Sequence, residues 1–143
     1  MKISTRGRYA IRVMLDLAEH NTGEYIPLMD IAKRQEISEK YLEAIVASLS
    51  KNGFVRSLRG KGGGYQLLRA PEEYTVGMIL RLTEGSLAPV ACVEDEDTCD
   101  KMNDCATVLV WKKMNEAINQ VVDSITLADL VDYERQRAGE YVI

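Results

Sequence analysis

The three cysteines of this 143-residue chain lie close together, at Cys92, Cys99 and Cys105. Thiolates are the ligands that zinc, Cu(I) and iron–sulfur clusters prefer in proteins. A structural zinc site usually takes four nitrogen or sulfur ligands in closely spaced pairs, whereas the spacing here is the wider C-x6-C-x5-C. The segment therefore predicts a metal or cluster site that lacks one ligand, with free surface thiols as the alternative.

Carboxylates are dense around these cysteines. They are Glu94, Asp95, Glu96, Asp97, Asp100 and Asp104. One of them could complete a metal site, since carboxylate oxygen is an accepted ligand beside sulfur. The alternative is that they are solvated charges that keep an irregular segment in water.

Charge divides the chain into two unlike halves. Residues 1–70 carry 12 Lys and Arg against 7 Asp and Glu, whereas residues 71–143 carry 6 against 15. A basic half beside an acidic half predicts that the first half meets a polyanion. An odd cysteine count and a start without an apolar leader predict the reducing cytoplasm, and no apolar run is long enough to predict a membrane span. With one histidine and no nucleophile–base motif, we expect no enzyme.

Apolar periodicity and turn residues predict the elements. Helices are expected over residues 4–20, 28–35, 39–52, from 75, and over 106–125, with a last short helix that ends at Tyr133. Ser38 is the predicted N-cap of the third helix, and Gly53 follows its end. Two short strands around GKGG predict a β-hairpin. The fold class is therefore mainly α with one small hairpin.

A short helix, a tight turn, a longer helix and a glycine-rich hairpin define a winged helix-turn-helix. The first turns of the third helix are expected to enter a major groove. Glu43 could accept a hydrogen bond from a cytosine amino group, and Lys40 or Tyr41 could reach bases or phosphates. The wing tip could grip phosphates or enter a minor groove. The candidate DNA-binding residues are Ser38, Glu39, Lys40, Tyr41, Glu43, Arg59, Gly60 and Lys61.

Four segments carry a resemblance: MKISTRGRYAIRVMLDLA, YLEAIV, LSKNGFVRSLRGKGGGYQL and ITLADLV. In them the chain resembles the IscR-type regulators, a bacterial winged-helix family that includes the cysteine repressor CymR and the nitric-oxide sensor NsrR. The resemblance implies a homodimer that binds palindromic DNA. It also implies a dimer interface on the long C-terminal helix, where Val110, Met114, Ala117, Ile118, Val121 and Ile125 form one stripe. The alternative reading of that stripe, from the residues alone, is burial against the chain's own core.

The resemblance further implies that Cys92, Cys99 and Cys105 hold an iron–sulfur cluster. IscR-type members add a histidine shortly after the third cysteine, but Val108 stands there in this chain, and His20 is distant in sequence. The fourth ligand is therefore left open: it could be a carboxylate of the segment such as Asp104, Asp100 or Glu94, it could be Glu43 or another residue of the DNA-binding domain, or it could come from the second subunit. A 2Fe–2S cluster is preferred to a 4Fe–4S cluster. A partner carboxylate from the first helix is disfavoured, because Arg6, Arg8 and Arg12 stand there.

The predicted organisation has three parts. A winged helix-turn-helix domain spans residues 1–74, with the helix-turn-helix at 28–52 and the wing at 54–69. The cysteine loop and the dimerisation helix span 75–132, and a flexible tail spans 133–143. The predicted function is a transcription regulator that senses iron–sulfur cluster status and controls cluster biogenesis genes. The alternatives are a nitric-oxide, redox or cysteine-metabolism regulator, and a protein-interaction module that does not bind DNA.

Overall fold

A computed structural model describes residues 2–94 and 106–140. Within these residues the chain forms seven α-helices and one antiparallel pair of strands, which confirms the predicted fold class. The helices are α1 Thr5–Glu19, α2 Leu28–Gln35, α3 Glu39–Lys51, α4 Val76–Glu84, α5 Ala91–Glu94, α6 Val108–Ser124 and α7 Leu127–Glu140. The strands are β1 Val55–Leu58 and β2 Gly64–Leu67, and a 3-10 turn spans Pro71–Glu73.

The core forms where the apolar faces of α1 and α3 meet those of α2, α4 and the strands. The four predicted core residues of α3, Leu42, Ile45, Val46 and Leu49, are all buried. On α1 the buried face includes Ala10, Val13, Met14 and Leu17. Each buried aliphatic side chain of this size contributes about 1.5–3 kcal/mol relative to an exposed one. This burial fixes α3 in the fold by one face and leaves its other face to solvent.

Local signals set the ends of α3 as predicted. The Ser38 hydroxyl accepts a hydrogen bond from the backbone N–H of Tyr41 at 3.2 Å, which satisfies one of the unpaired donors of the first turn. After the helix, Gly53 takes a left-handed φ of 74°, the conformation that glycine adopts without the cost of a Cβ contact. The helix that carries the candidate DNA-binding residues therefore starts and stops at encoded positions.

The wing is joined to the rest of the domain by a third backbone segment that the sequence did not predict. β1 and β2 pair from Val55 with Leu67 to Leu58 with Gly64. Beyond them, Ile26 and Tyr65 exchange two backbone hydrogen bonds of 2.8 Å. A Cβ on Gly64 would lie 2.2 Å from the carbonyl oxygen of Ile26, so only glycine permits this close approach.

Tyr74 secures the far end of the hairpin. Its side chain is fully buried. Its hydroxyl donates to the carbonyl oxygen of Phe54 at 2.7 Å and accepts from the backbone N–H groups of Leu68 at 3.2 Å and Arg69 at 3.1 Å. One phenol thus holds both ends of the wing against the core.

The core continues past residue 74. Ile79 of α4 and Leu127 and Val131 of α7 lie in the same hydrophobic cluster as α1 and α3. Backbone hydrogen bonds from Val76 to Ile125 and from Leu127 to Tyr74, both 2.9 Å, bring the start of α7 to this domain. The prediction that the last helix ends at Tyr133 was wrong, because α7 continues to Glu140. Whether the tail over 133–143 is flexible stays a prediction.

Candidate nucleic-acid interface and cysteine segment

The solvent face of α3 carries the residues predicted to meet DNA. Ser38, Glu39, Lys40, Tyr41 and Glu43 are all exposed, whereas Leu42 between them is buried. The side chains therefore project from the first turns of a helix whose other face is fixed in the core. This is the geometry that a recognition helix needs, since its N-terminal residues must reach base edges.

The wing tip lies beside the start of this helix. Arg59, Gly60 and Lys61 are exposed, and Gly60 has a positive φ of 91°. Among the residues that the structure describes, neither Arg59 nor Lys61 forms an ion pair. Both cations are therefore free to neutralise phosphate charge.

An open cleft of about 380 Å³ brings the wing and α3 together, with Arg59 and Gly60 on one side and Glu39 on the other. Sequence reasoning missed two of its lining residues, Met29 and Leu58, which are 51% and 48% exposed. Both side chains line the same cleft and add apolar surface to it. In the sequence they looked like ordinary members of an amphipathic helix and of an alternating strand.

The cysteine segment is described only at its start. Cys92 lies on α5 with a half-buried, free thiol, while Cys99 and Cys105 lie outside the described residues. Beside α5 is an open cavity of about 470 Å³ between α4 and α6, lined by Arg81, Glu94 and Asn119 among others. Within residues 2–94 and 106–140 the structure contains no group of three potential ligands that could hold a metal ion. The thiols of the segment suit a soft metal or a cluster. Cys92 is the candidate thiol ligand that lies within the described residues.

The apolar stripe of α6 remains uncovered within the single chain. No residue of α6 is buried, and Val110, Met114 and Val121 are 50%, 43% and 56% exposed. The stripe borders an apolar groove of about 340 Å³, which Val121 and Ile118 line together with Leu80 of α4. The alternative that the stripe is buried against the chain's own core is therefore wrong for these three residues.

An ion pair connects α6 to α4. Arg81 donates to the two carboxylate oxygens of Asp123 at 2.6 and 3.1 Å and to the side-chain oxygen of Asn119 at 2.9 Å. The hydrogen bond to Asp123 raises the pKa of Arg81 and lowers the pKa of Asp123. Both side chains are partly exposed, so the pair orients α6 more than it stabilises the fold.

His20 lies at the end of α1. Its side chain is 42% exposed, and its Nδ1 is 2.8 Å from the carbonyl oxygen of Asp16. The histidine thus has a local backbone partner within α1.

The exposed face of α3, the adjacent wing and the uncovered apolar stripe of α6 fit one class, a winged-helix transcription regulator that binds DNA. Comparison with known families places the chain further. Residues 3–133 match the model of the Rrf2 family, described as "Iron-dependent Transcriptional regulator". The chain belongs to the Rrf2 family.

Similar proteins agree with this assignment. Protein rrf2 of Nitratidesulfovibrio vulgaris is 40% identical over 131 residues, which cover 92% of this chain and 87% of that protein. The transcriptional regulator IscR of Erwinia tasmaniensis is 39% identical over 132 residues, which cover 92% of this chain and 79% of IscR. The name of IscR and the description of the family are those of transcriptional regulators, in agreement with the prediction that the chain is not an enzyme.

Solved structures show the same fold. The global cysteine regulator CymR of B. subtilis superposes with a TM-score of 0.80 at 38% identity, over 93% of this chain and 98% of CymR. The IscR of T. potens superposes with a TM-score of 0.75 at 41% identity, over 94% of this chain and 88% of that one. In the described part of this chain, no helix combines the length and the apolar character that crossing a membrane requires.

Proposed function

We propose that this regulator binds palindromic DNA as a homodimer and that an iron–sulfur cluster on Cys92, Cys99 and Cys105 controls this binding. Its targets would be iron–sulfur cluster biogenesis genes, and it would act in the cytoplasm. The observation that carries the proposal is the confinement of all three cysteines to residues 92–105, in a family described as iron-dependent. The IscR-named relatives, at 39% identity, support it.

The exposed residues of α3 would read the DNA. Glu43 is the candidate for base readout, because a carboxylate can accept from the amino group of cytosine. Lys40 and Tyr41 would contact phosphates or bases near the N-terminus of α3, beside the cap at Ser38 and the exposed Glu39. The wing residues Arg59, Gly60 and Lys61 would hold the backbone of the adjacent groove.

The stripe on α6 would join the two copies. Val110, Met114 and Val121 are apolar and largely exposed in the single chain, which makes burial by a second copy favourable. Ala117, Ile118 and Ile125 complete the stripe. A two-fold dimer presents two α3 helices at once, so palindromic DNA would mirror the protein symmetry.

A bound iron–sulfur cluster would supply a redox-sensitive cross-link between the thiolates of the 92–105 segment. Of the two cluster types, 2Fe–2S is preferred to 4Fe–4S. The fourth ligand remains open, with Glu94 and other carboxylates of the segment as candidates. The segment leads directly into α6, so a change in its conformation would alter how the two winged-helix domains are placed on DNA. Such a change shifts DNA affinity only by the difference in stability between the two arrangements.

Metal analysis of protein purified without oxygen tests the cluster. We expect equal iron and sulfide, near two of each per chain for 2Fe–2S. Each of Cys92→Ala, Cys99→Ala and Cys105→Ala should lose the visible absorption and the iron. The control Thr98→Ala, which changes the same segment without removing a thiol, should keep both. One zinc per chain without sulfide would reject the cluster.

The structural match to CymR, with a TM-score of 0.80, favours a second candidate: a cysteine-metabolism regulator that holds no cluster. Val108, where IscR-type members carry a histidine, also favours it. Protein that contains neither metal nor sulfide and has three alkylatable thiols would support this candidate over the first.

A further inference from the structure

One face of α1 contacts the helix-turn-helix directly at its turn. Tyr9, Arg12 and Asp16 are spaced three and four residues apart, which places them on the same side of the helix. Their partners are Arg34 and Gln35 at the end of α2 and Tyr41 near the start of α3. These contacts lie on both sides of the turn over residues 36–38.

Asp16 forms the buried end of this set. Its side chain is fully buried, with a relative exposure of 0%. Its two oxygens accept from Arg34 at 3.0 and 2.7 Å and from the Gln35 amide at 2.9 Å. A buried carboxylate with three donors is well satisfied, so it holds the last turn of α2 against α1.

Arg12 contacts the end of α2 one helical turn earlier along α1. Its Nε donates to the side-chain oxygen of Gln35 at 3.1 Å, and its Nη2 donates to the backbone carbonyl of the same residue. A cation at a helix C-terminus is favourable, because the last carbonyls lack helical partners. Its guanidinium also lies 5.4 Å from the centre of the Tyr9 ring, within the range of a cation–π contact.

Tyr9 connects these α1 contacts to the exposed face of α3. Its ring meets the ring of Tyr41 edge to face, with centres 5.5 Å apart and planes at 85°. Tyr41 is 41% exposed and belongs to the face proposed to meet DNA. The Tyr9–Tyr41 contact is therefore at the edge of that face, where Tyr9 packs against the buried core.

We propose that Tyr9 and Arg12 are positioning residues for DNA recognition. Arg12 holds the Tyr9 ring, and Tyr9 holds the side chain of Tyr41 in one orientation, so that its hydroxyl meets the same base or phosphate in every complex. Asp16 fixes the end of α2 on which Arg12 depends. This inference rests on the proposed contact between Tyr41 and DNA.

A mutant cycle tests it with the full-length protein. The probe is a palindromic duplex selected from random DNA by the wild-type protein, together with each single base-pair substitution in one half-site. The variants are Tyr9→Leu, Tyr41→Leu and the double change. Tyr9→Phe, which keeps the ring, and Ile11→Ala, which weakens packing on another part of α1, are the controls.

We expect Tyr9→Leu to weaken binding roughly two- to tenfold, the range that one aromatic pair contributes. It should lose discrimination at the same half-site positions as Tyr41→Leu. The double change should add little to Tyr41→Leu alone. Tyr9→Phe should match the wild type, and Ile11→Ala should keep its pattern of discrimination.

Two outcomes overturn the inference. The first rejects only the positioning role, and the second also rejects the DNA contact of Tyr41. If Tyr41→Leu changes discrimination but folded Tyr9→Leu does not, or if the two effects are additive, the positioning role is wrong and the DNA contact of Tyr41 remains. If Tyr41→Leu has no effect on DNA binding, the proposed contact fails and the inference fails with it.

Arg12→Gln gives an independent test that leaves the Tyr9 ring in place. As a positioning residue, Arg12 should affect discrimination at the positions read by Tyr41 without changing the salt dependence of binding. Loss of about one unit from the salt slope, with discrimination intact, would make Arg12 a phosphate contact instead.

Discussion

Helices α3 and α6 have the same kind of amphipathic sequence but opposite surroundings in the single chain. The apolar stripe of α3 is buried, with Leu42 and Val46 at 0% exposure, whereas Val110 and Val121 of α6 are 50% and 56% exposed. Helical periodicity indicates that the apolar face of a helix will be buried, but it does not indicate whether the same chain or another one buries it. The difference separates the winged-helix half, whose core is closed within one chain, from the α6 half, whose apolar stripe the proposed second copy would cover.

The largest effect is expected from a substitution in α6. Val121→Asp places a charge on the stripe, and in a two-fold dimer each substitution counts twice. We expect the dimer Kd to rise by about a hundredfold or more, since each copy loses apolar burial and must desolvate a carboxylate. Analytical ultracentrifugation would measure it, with Gln120→Asp as the control beside the stripe. An unchanged Kd would show that α6 does not join the copies.

The matching change in α3 should act on folding. Leu42→Ala removes a fully buried side chain and should lower the free energy of unfolding by about 2–5 kcal/mol. Urea unfolding would be measured with Leu42→Ala introduced into the Val121→Asp variant, so that the loss of folding stability is separated from any change in dimerisation. The control Leu68→Ala, at a position that is 41% exposed, should cost much less. Equal losses at both positions would contradict the buried environment of α3.

A substitution at Tyr74 tests how firmly the wing is held to the core of the winged-helix domain. Tyr74→Phe keeps the buried ring but removes a hydroxyl with three backbone partners. We expect a loss of about 1–3 kcal/mol, because three partly buried backbone groups lose a hydrogen-bond partner. Hydrogen exchange should increase at the Leu68 and Arg69 amides. A change in stability without that increase would mean that the hydroxyl does not hold the wing.

The smallest effect is expected at the connection between α4 and α6. The hydrogen bond from Arg81 holds the pKa of Asp123 below its usual range. The pair therefore stabilises the fold above the unfolded pKa of an aspartate, near pH 4, and this contribution is lost as pH falls through the depressed folded value. Because the pair is partly exposed, its contribution should be below about 1 kcal/mol. Unfolding measured between pH 6 and pH 3 should show a smaller slope in Arg81→Gln than in the wild type, and identical slopes would contradict the pairing.

Much of the winged-helix half is readable from the sequence, because its signals are local. The ends of α2, the cap at Ser38 and the left-handed Gly53 follow from residue type and periodicity. The Ile26–Tyr65 pairing and the Tyr74 hydroxyl contacts connect residues far apart in sequence, which periodicity does not report. The extension of α7 was missed because its apolar pattern stops near Tyr133, although the following residues, ERQRAGE, are mostly strong helix formers.

The candidate site also has features that local sequence predicts and features that depend on contacts between distant residues. Exposure of Glu43 and Arg59 followed from their position opposite an apolar face and at a glycine-rich tip. Tyr9, Arg12 and Asp16 looked like ordinary members of an amphipathic first helix, since their partners on α2 and α3 become neighbours only in the folded domain. The stripe of α6 was recognisable, but its exposure in the single chain required the structure.

The most direct test of the regulator is a DNA-binding measurement on its two forms. The cluster-loaded protein and the same preparation after removal of iron would be titrated with one selected palindromic duplex over a range of salt concentrations. We predict salt-dependent binding by a dimer in at least one form, and affinities that differ by about fivefold or more between forms. Equal affinity of both forms for every selected duplex would contradict control by the cluster, and absence of salt-dependent binding in both would contradict DNA recognition itself.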